Sequence, residues 1–488
     1  MILALILVPS VAAAAAFFIR SDVLRRRLLF FTGVAHAGMS LETWIHQPSA
    51  ILGGWLAEDD TGRLFLTMTS VLFLASAAYG SAYLAQESDQ GRVDFEEGFI
   101  FSNAREASFT ACLLFFLAAM TLVTLSQHLG LLWVAVEATT LASAPLIYFH
   151  RHHRSLEATW KYLLICSVGI ALALLGNLFL AVAAQGPGET SSSLLLSDLM
   201  HRGGRLHLLW LKGAFVLFLV GYGTKTGLAP FHTWLPDAHS EAPSLVSALL
   251  SGSLLNCAFL GILRAHEVCI AAGLAAFGQN LLVVFGLLSM AVAAIFISGQ
   301  SDYKRMLAYS SVEHMGIMAL GVGLGGIGAF GAMFHLINHS LTKAMLFMVA
   351  GNLLAVYHSK ATSEVRGVLH VMPASGMLWL AGFLAITGSP PFGPFLSEFI
   401  ILKAALDQGR SFVAIFYLGL LAAILAGMSA IVLRMTQGPS RDGIAASPDR
   451  SRAFTIVPAA LGLLVLVFGL YIPPFVSRLL HEVARALG

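Results

Sequence analysis

Stretches of about 20 predominantly apolar residues recur from one end of the chain to the other, separated by short polar segments. Runs that are hydrophobic all round, rather than along one stripe, predict helices surrounded by lipid or by other helices. Fourteen such segments are predicted, near 1–19, 28–45, 63–85, 108–127, 129–149, 158–183, 207–238, 243–264, 276–298, 306–322, 327–356, 371–406, 411–433 and 453–475. The expected fold class is therefore all-α: a polytopic membrane protein of about 14 transmembrane helices in one integral membrane domain over 1–488.

The seventh and twelfth segments are interrupted. "KTGLAPFHTWLPDAH" (225–239) breaks at Gly227, Pro230 and Pro236, and "GSPPFGPF" (388–395) at Pro390, Pro391 and Pro394. The two stretches share the pattern G-x-x-P-F-x-x-aromatic. Paired interruptions in corresponding parts of two halves point to transporters built from repeats with discontinuous helices. The loops left over, about 86–107, 184–206 and 434–452, are too short for a soluble domain, and the last reads as a flexible connector.

Charge distribution supports the span count. With the N-terminus outside, loops after odd-numbered spans hold sixteen Lys and Arg residues, among them Arg25, Arg151, Lys304, Lys360 and Arg441, against seven on the other side. Only 11% of the 488 residues are charged, where soluble domains have roughly 25%. The net charge of +2 and the lack of a basic tail exclude nucleic acid as a partner class; lipid is the expected surroundings.

Several charges lie where charge is costly, at least ~2.5 kcal/mol each at the bilayer centre. Lys225 sits at the seventh-segment break, with His232 beyond it; Glu137 and Glu398 lie within apolar runs, most other acids in loops. Lys161 heads its span, where a structural ion pair is an equally good reading. "FHLINHSLTKAMLF" places His335, His339 and Lys343 at successive i+4 steps on one helical face, which fits a proton relay, since neutral imidazole takes a proton on one nitrogen as it releases another. H-L-I-N-H lacks the glutamate of H-E-x-x-H and no third ligand is evident, so no metal is expected. Cys112, Cys166, Cys257 and Cys269 have no C-x-x-C spacing, and "GVGLGGIG" lacks the strand a nucleotide fingerprint needs. No cofactor is expected in this chain.

Taken together, "KTGLAPFHTWLPDAHSEAPSLVSALLSG", "SDYKRMLAYSSVEHMGIMALG", "FHLINHSLTKAMLF" and "PPFGPFLSEFIILKA" resemble the antiporter-like proton-translocating subunits of respiratory complex I and its relatives. "LLWVAVEATTLASAP" and "YSSVEHMGIM" are most similar to the hydrogenase-4 component F branch, in the M-type group. The resemblance implies two inverted five-helix repeats, about 108–264 and 276–433, with helices 7 and 12 broken. It implies a relay through Glu137, Lys225, His335, His339, Lys343 and Glu398. Relatives often have lysine or histidine where Asn256 stands, so the middle of that relay would depend on water or another side chain.

The implied function is proton translocation as a subunit of a redox complex in a bacterial or archaeal cytoplasmic (inner) membrane. The chain would have no redox centre of its own. Its partners would be other antiporter-like and membrane subunits and a peripheral redox module with iron–sulfur clusters and a nickel–iron site. The alternatives are a subunit of a multisubunit Na+/H+ antiporter and an ion-coupled module of an inorganic-carbon uptake complex.

Overall fold

The computed structural model describes residues 1–87, 92–93, 98, 100–185, 193–437 and 452–488. Most of the predicted 434–452 connector, with Arg441 and Arg450, lies outside the described residues, as do parts of the 86–107 and 184–206 loops. The chain is an all-helical polytopic membrane protein. Apart from isolated bridges, the strands among the described residues are an antiparallel pair, Arg92–Val93 with Ile100–Phe101.

Each predicted span is met by a helix or a helix pair. The first six are α1 (Ile2–Phe18), α2 (Asp22–Glu42), α3 (Asp60–Gln86), α4 (Glu106–Leu125), α5 (Leu129–Ile147) and α6 (His153–Ala184). A short α7 (Leu196–His201) precedes the first broken span, α8 (Leu208–Thr226) and α9 (Leu235–Glu241). The eighth comprises α10 (Ser244–Leu249), a π turn at Leu250–Leu254 and α11 (Leu255–Ala271). Then come α12 (Ala275–Ile297), α13 (Tyr303–Leu324) and α14 (Ile327–Tyr357). After the short α15 (Val368–Val371), α16 (Pro373–Ile386) and α17 (Gly393–Asp407) form the second broken span. The chain continues through α18 (Ser411–Gln437), α19 (Arg452–Leu470) and α20 (Pro474–Ala486). Among the described residues, ten helices are individually long and apolar enough to cross a membrane.

Local chemistry sets the ends. Asp59 caps α3 by accepting from Gly62 N (3.0 Å), and Asp302 caps α13 by accepting from Lys304 N (2.7 Å) and Arg305 N (3.1 Å). Gly227 ends α8 at φ 82°, and Gly388 follows α16 at φ 63°, a left-handed region that glycine enters without Cβ strain. Pro230, Pro390 and Pro391 occupy the non-helical stretches. Pro236 and Pro394 have a different role from the one expected: they sit in the first turns of α9 and α17, where the missing N–H costs nothing, and so restart the helices rather than break them.

The helices sort by burial. The hydrophobic window of Ser244–Ala271 is wholly buried and that of Ile327–Tyr357 is 83% buried, against 28% for Ser411–Gln437 and 22% for Arg452–Leu470. The peripheral helices present residues such as Phe412 and Ile415 outward, as lipid contact requires. Small residues let the inner helices approach closely: a Cβ on Gly316 would lie 2.7 Å from the Gly286 carbonyl oxygen, and one on Gly286 would lie 2.7 Å from that of Gly316. The G-x-G-x-x-G run is part of the same packing, since a Cβ on Gly323 would meet the Gln279 carbonyl at 2.7 Å.

At one end of the bundle Arg264 is buried and forks onto Asp59, with both N···O distances 2.6 Å, while also reaching Glu267 at 3.2 Å. This pairing ties α11 to the cap of α3. Burial acts to raise the Asp59 carboxyl, but the Arg264 charge and its hydrogen bonds hold it below the usual carboxylate range.

Two outcomes follow for stability. Gly316→Ala should destabilise the chain by about 1–3 kcal/mol, because the atom in the way is backbone, while Gly419→Ala, whose Cβ meets nothing within 4 Å, should not; thermal melts in detergent compare the two. A carboxyl whose folded pKa is lowered stabilises fully above its unfolded value of about 3.9 and loses that contribution as pH falls through the folded value. Asp59→Asn should therefore cost about 1–2 kcal/mol near neutral pH and remove that part of the acid sensitivity.

Candidate functional site

The buried charges gather in two clusters and one intervening group. In the first, the side chain of Lys225 is fully buried, in the last turn of α8 before the break. Its Nζ donates to the Thr140 hydroxyl and to the Tyr162 hydroxyl (3.1 Å), and lies 5.1 Å from the Tyr162 ring centroid. Thr140 in turn donates to Glu137 Oε2 at 3.0 Å, and Ser167 donates to Glu137 Oε1 at 3.2 Å. Lys225 and Glu137 are thus not in direct contact. A threonine hydroxyl stands between them, one helical turn from Glu137 on α5, which is why the two can meet its opposite sides.

The second cluster lies between α13, α14 and α17. Lys343 Nζ donates to the Leu307 carbonyl (2.6 Å) and to the Ser310 hydroxyl. Leu307, Ser310 and His314 follow at steps of three and four along α13, and this stripe faces the His335–His339–Lys343 stripe of α14. His314 Nδ1 and His335 Nε2 are 2.8 Å apart, and His335 Nδ1 meets the Ser397 hydroxyl at 2.9 Å. The His339 ring lies 5.1 Å from that of His314. Glu398 is buried beside the second break: a Cβ on Gly388 would run into its Oε2. One donor atom each from His314, His335 and Glu398 falls within 4.8 Å of the other two.

Between the clusters, Asn256 is occupied with structure, donating to the Gly252 carbonyl (2.7 Å) and to the Ser340 hydroxyl (2.8 Å) just beyond the π turn. His239, at the end of α9, is fully buried, stacks 5.5 Å from Phe347 and lies within electrostatic range of both Lys343 and His339.

The structure does not bring every candidate into these clusters. Lys161 is 43% exposed and pairs with Glu157 (2.6 Å) and Asp237 (2.9 Å), the latter also meeting Arg305 at 3.1 Å; this is the structural ion pair. His232 packs against Tyr309 and Phe296.

Sequence reasoning also missed residues. Glu137 and Glu398 are not alone among acids in apolar helices: Glu313 is buried in α13 with Oε2 unpartnered by protein, within electrostatic range of Lys343. Its signal, an acid beside a histidine in "SSVEHMGIM", was as visible as that of Glu137. Lys360, read as a loop cation, is buried and pairs with Glu241 at 2.6 Å, while Lys304 donates to the Ser240 (2.8 Å) and Ala242 (2.7 Å) carbonyls. These two lysines line a cavity of about 400 Å³ with Glu241, His152 and Tyr79.

Comparison with known proteins bears on the family and the fold. Residues 126–426 match the family described as NADH:quinone oxidoreductase/Mrp antiporter, TM. The chain is 34% identical over 427 residues to the hydrogenase-4 component F homolog of Methylacidiphilum infernorum (isolate V4), covering 86% of each chain. It superposes on a chain of respiratory complex I from Thermus thermophilus with a TM-score of 0.77 at 25% identity, covering 96% of this chain and 97% of that one. On a chain of the Mrp complex from Dietzia sp. DQ12-45-1b the TM-score is 0.83 at 21% identity, over 99% and 96%.

Gly388→Ala tests the contact at the second break. The displaced atom is the end of a side chain, so the stability loss should stay near that of Gly409→Ala, which has a similar φ of 68° and open space around its Cβ: about 1 kcal/mol each. The carboxyl infrared band of Glu398, identified by its loss in Glu398→Gln, should shift in Gly388→Ala and not in Gly409→Ala.

Proposed function

The chain belongs to the NADH:quinone oxidoreductase/Mrp antiporter transmembrane family, and from that premise we propose that it moves protons across a membrane as one subunit of a hydrogenase-type or respiratory redox complex. Redox chemistry, with iron–sulfur and nickel–iron centres, belongs in this reading to a peripheral module of partner subunits. The observation that supports it most directly is that both deep lysines, Lys225 and Lys343, are held by hydroxyls and a carbonyl rather than locked against a carboxylate.

An ammonium stabilised by neutral dipoles, with an acid one hydroxyl away, has a proton affinity that depends on where that acid's charge is. In the proposed cycle, a change next to Glu137 is felt by Lys225 through Thr140. Lys225 passes its proton towards Lys343 by way of His239 and water at the α8–α9 break. From Lys343 it passes along His339, His314 and His335 to Glu398. Moving one charge against 100 mV needs about 2.3 kcal/mol, which is the scale of loosening one buried charge interaction. The reading places the machinery in two inverted repeats, about 108–264 and 276–433, each with one discontinuous helix.

Further support comes from the face that bears Glu137. That residue is only half buried, and Val134, Leu141, Leu164 and Val168 around it are exposed, as is its partner Ser167. A carboxylate at membrane depth is not stable against acyl chains, so another membrane subunit covers this face. A cytoplasmic (inner) membrane with the N-terminus outside fits the distribution of positive charge.

The test is the native complex isolated from membranes and reconstituted in vesicles. Redox partner subunits should co-purify, and turnover should acidify or alkalinise the lumen. Lys225→Ala should lower coupled proton movement about tenfold or more with assembly intact, Thr140→Val should lower it less, and Lys161→Ala should leave it near normal. Unchanged proton movement in Lys225→Ala overturns the relay. Proton movement driven by a sodium gradient in a complex without redox subunits would replace the redox reading with the Na+/H+ antiporter one.

A further inference from the structure

His314, His335 and Glu398 come from three different helices, α13, α14 and α17, and are buried together. Their convergent donor atoms lie within 4.8 Å of one another. Protein hydrogen bonds do not consume all of them: His314 Nε2 and Glu398 Oε1 are buried without a protein partner. His335 is oriented through Ser397 on one nitrogen and His314 on the other, at 2.9 and 2.8 Å.

We propose that His314, His335 and Glu398 form a binding site for a borderline-soft divalent cation of the Zn2+ class. Two imidazoles and a carboxylate make a donor set that zinc accepts with an open fourth position, whereas Mg2+ and Ca2+ call for all-oxygen shells. Charge is consistent with this. One carboxylate neutralises half of a dication, and Glu313, buried next to His314 with a free Oε2 and within electrostatic range of Glu398, supplies the other half.

Tetrahedral zinc with bonds of about 2.0–2.2 Å holds two donors about 3.3–3.6 Å apart, so a pair standing at the 4.8 Å limit closes by about 1.2–1.5 Å on binding, through side-chain rotation. His335 exchanges one of its two hydrogen bonds for the metal bond. H-L-I-N-H offered no third ligand along its own helix; the fold brings His314 and Glu398 from its neighbours instead. Occupancy fixes three groups that the proposed relay needs free, so Zn2+ arrests proton movement; that consequence rests on the relay reading, whereas binding does not.

The isolated complex, equilibrated with Zn2+ and freed of excess, provides the test. Wild type and Lys161→Ala should hold about one Zn2+ per chain more than His314→Gln or Glu398→Gln. Zinc X-ray absorption of the wild-type complex should show nitrogen and oxygen neighbours at about 2.0–2.1 Å. Because the variants alter buried residues, a cryo-electron microscopy map of the zinc-loaded wild-type complex gives an independent answer, with a peak expected between the three side chains. Equal zinc content in all four proteins, or a map with no peak there, overturns the site. Zinc bound at the site with undiminished proton movement would leave the site standing and remove the relay through it. A site that fails while Lys225→Ala still stops transport would do the reverse.

Discussion

A charge within hydrocarbon has to be satisfied by the protein itself, because lipid supplies neither dipoles nor counterions. That constraint accounts for the way polarity is arranged in this molecule. The deeply buried helices, Ser244–Ala271, Tyr303–Leu324 and Ile327–Tyr357, hold Asn256, Glu313, His314, His335, His339 and Lys343, while the outermost ones are lined with leucine, isoleucine and phenylalanine. Water-soluble folds put polar groups outward; here the polar groups are at the centre and the apolar ones face out. Close glycine contacts between α13 and α14 belong to the same arrangement: a Cβ on Gly321 would lie 2.9 Å from the Gly328 carbonyl oxygen, so the two polar stripes face each other across backbones packed close together.

Much of this was legible before any coordinates. Long apolar runs are the strongest pattern a sequence offers, and every predicted span was met by a helix or a helix pair. The breaks at Gly227 and Pro230 and at Pro390 and Pro391 were equally clear, because glycine's access to positive φ and proline's missing N–H are properties of single residues. The positions of Pro236 and Pro394 were less so. A proline in an apolar run reads as a breaker, yet one residue further along the same ring is a helix starter, and only the location of the first turn distinguishes them.

Contacts between helices were the part that sequence concealed. Spacing on one helix showed that His335, His339 and Lys343 share a face, but not that Leu307, Ser310 and His314 stand opposite. Nor could it show Thr140 between Glu137 and Lys225, since any of several hydroxyls on α5 was a candidate. Lys360 illustrates the converse error. Polar neighbours in sequence made it a surface residue, while the fold buries it against Glu241 in the lining of a cavity.

The hydroxyl between Glu137 and Lys225 bears on how such a pair could switch. Opposite charges in direct contact in a low dielectric attract strongly and part only at large cost. A neutral hydroxyl between them weakens the attraction and can turn its proton toward either neighbour, so the acid and the amine influence each other without being locked. Lys343 and Lys304 follow the same rule in a different form, resting on backbone carbonyls of Leu307, Ser240 and Ala242. Carbonyl dipoles hold an ammonium when it is charged and lose little when it is neutral, which suits a group that has to exist in both forms. A lysine needed only to tie two segments together would do better against a carboxylate, as Lys161 does with Asp237 and Lys360 with Glu241. The choice of partner therefore distinguishes two kinds of lysine in this fold, those paired with carboxylates and those held by neutral dipoles.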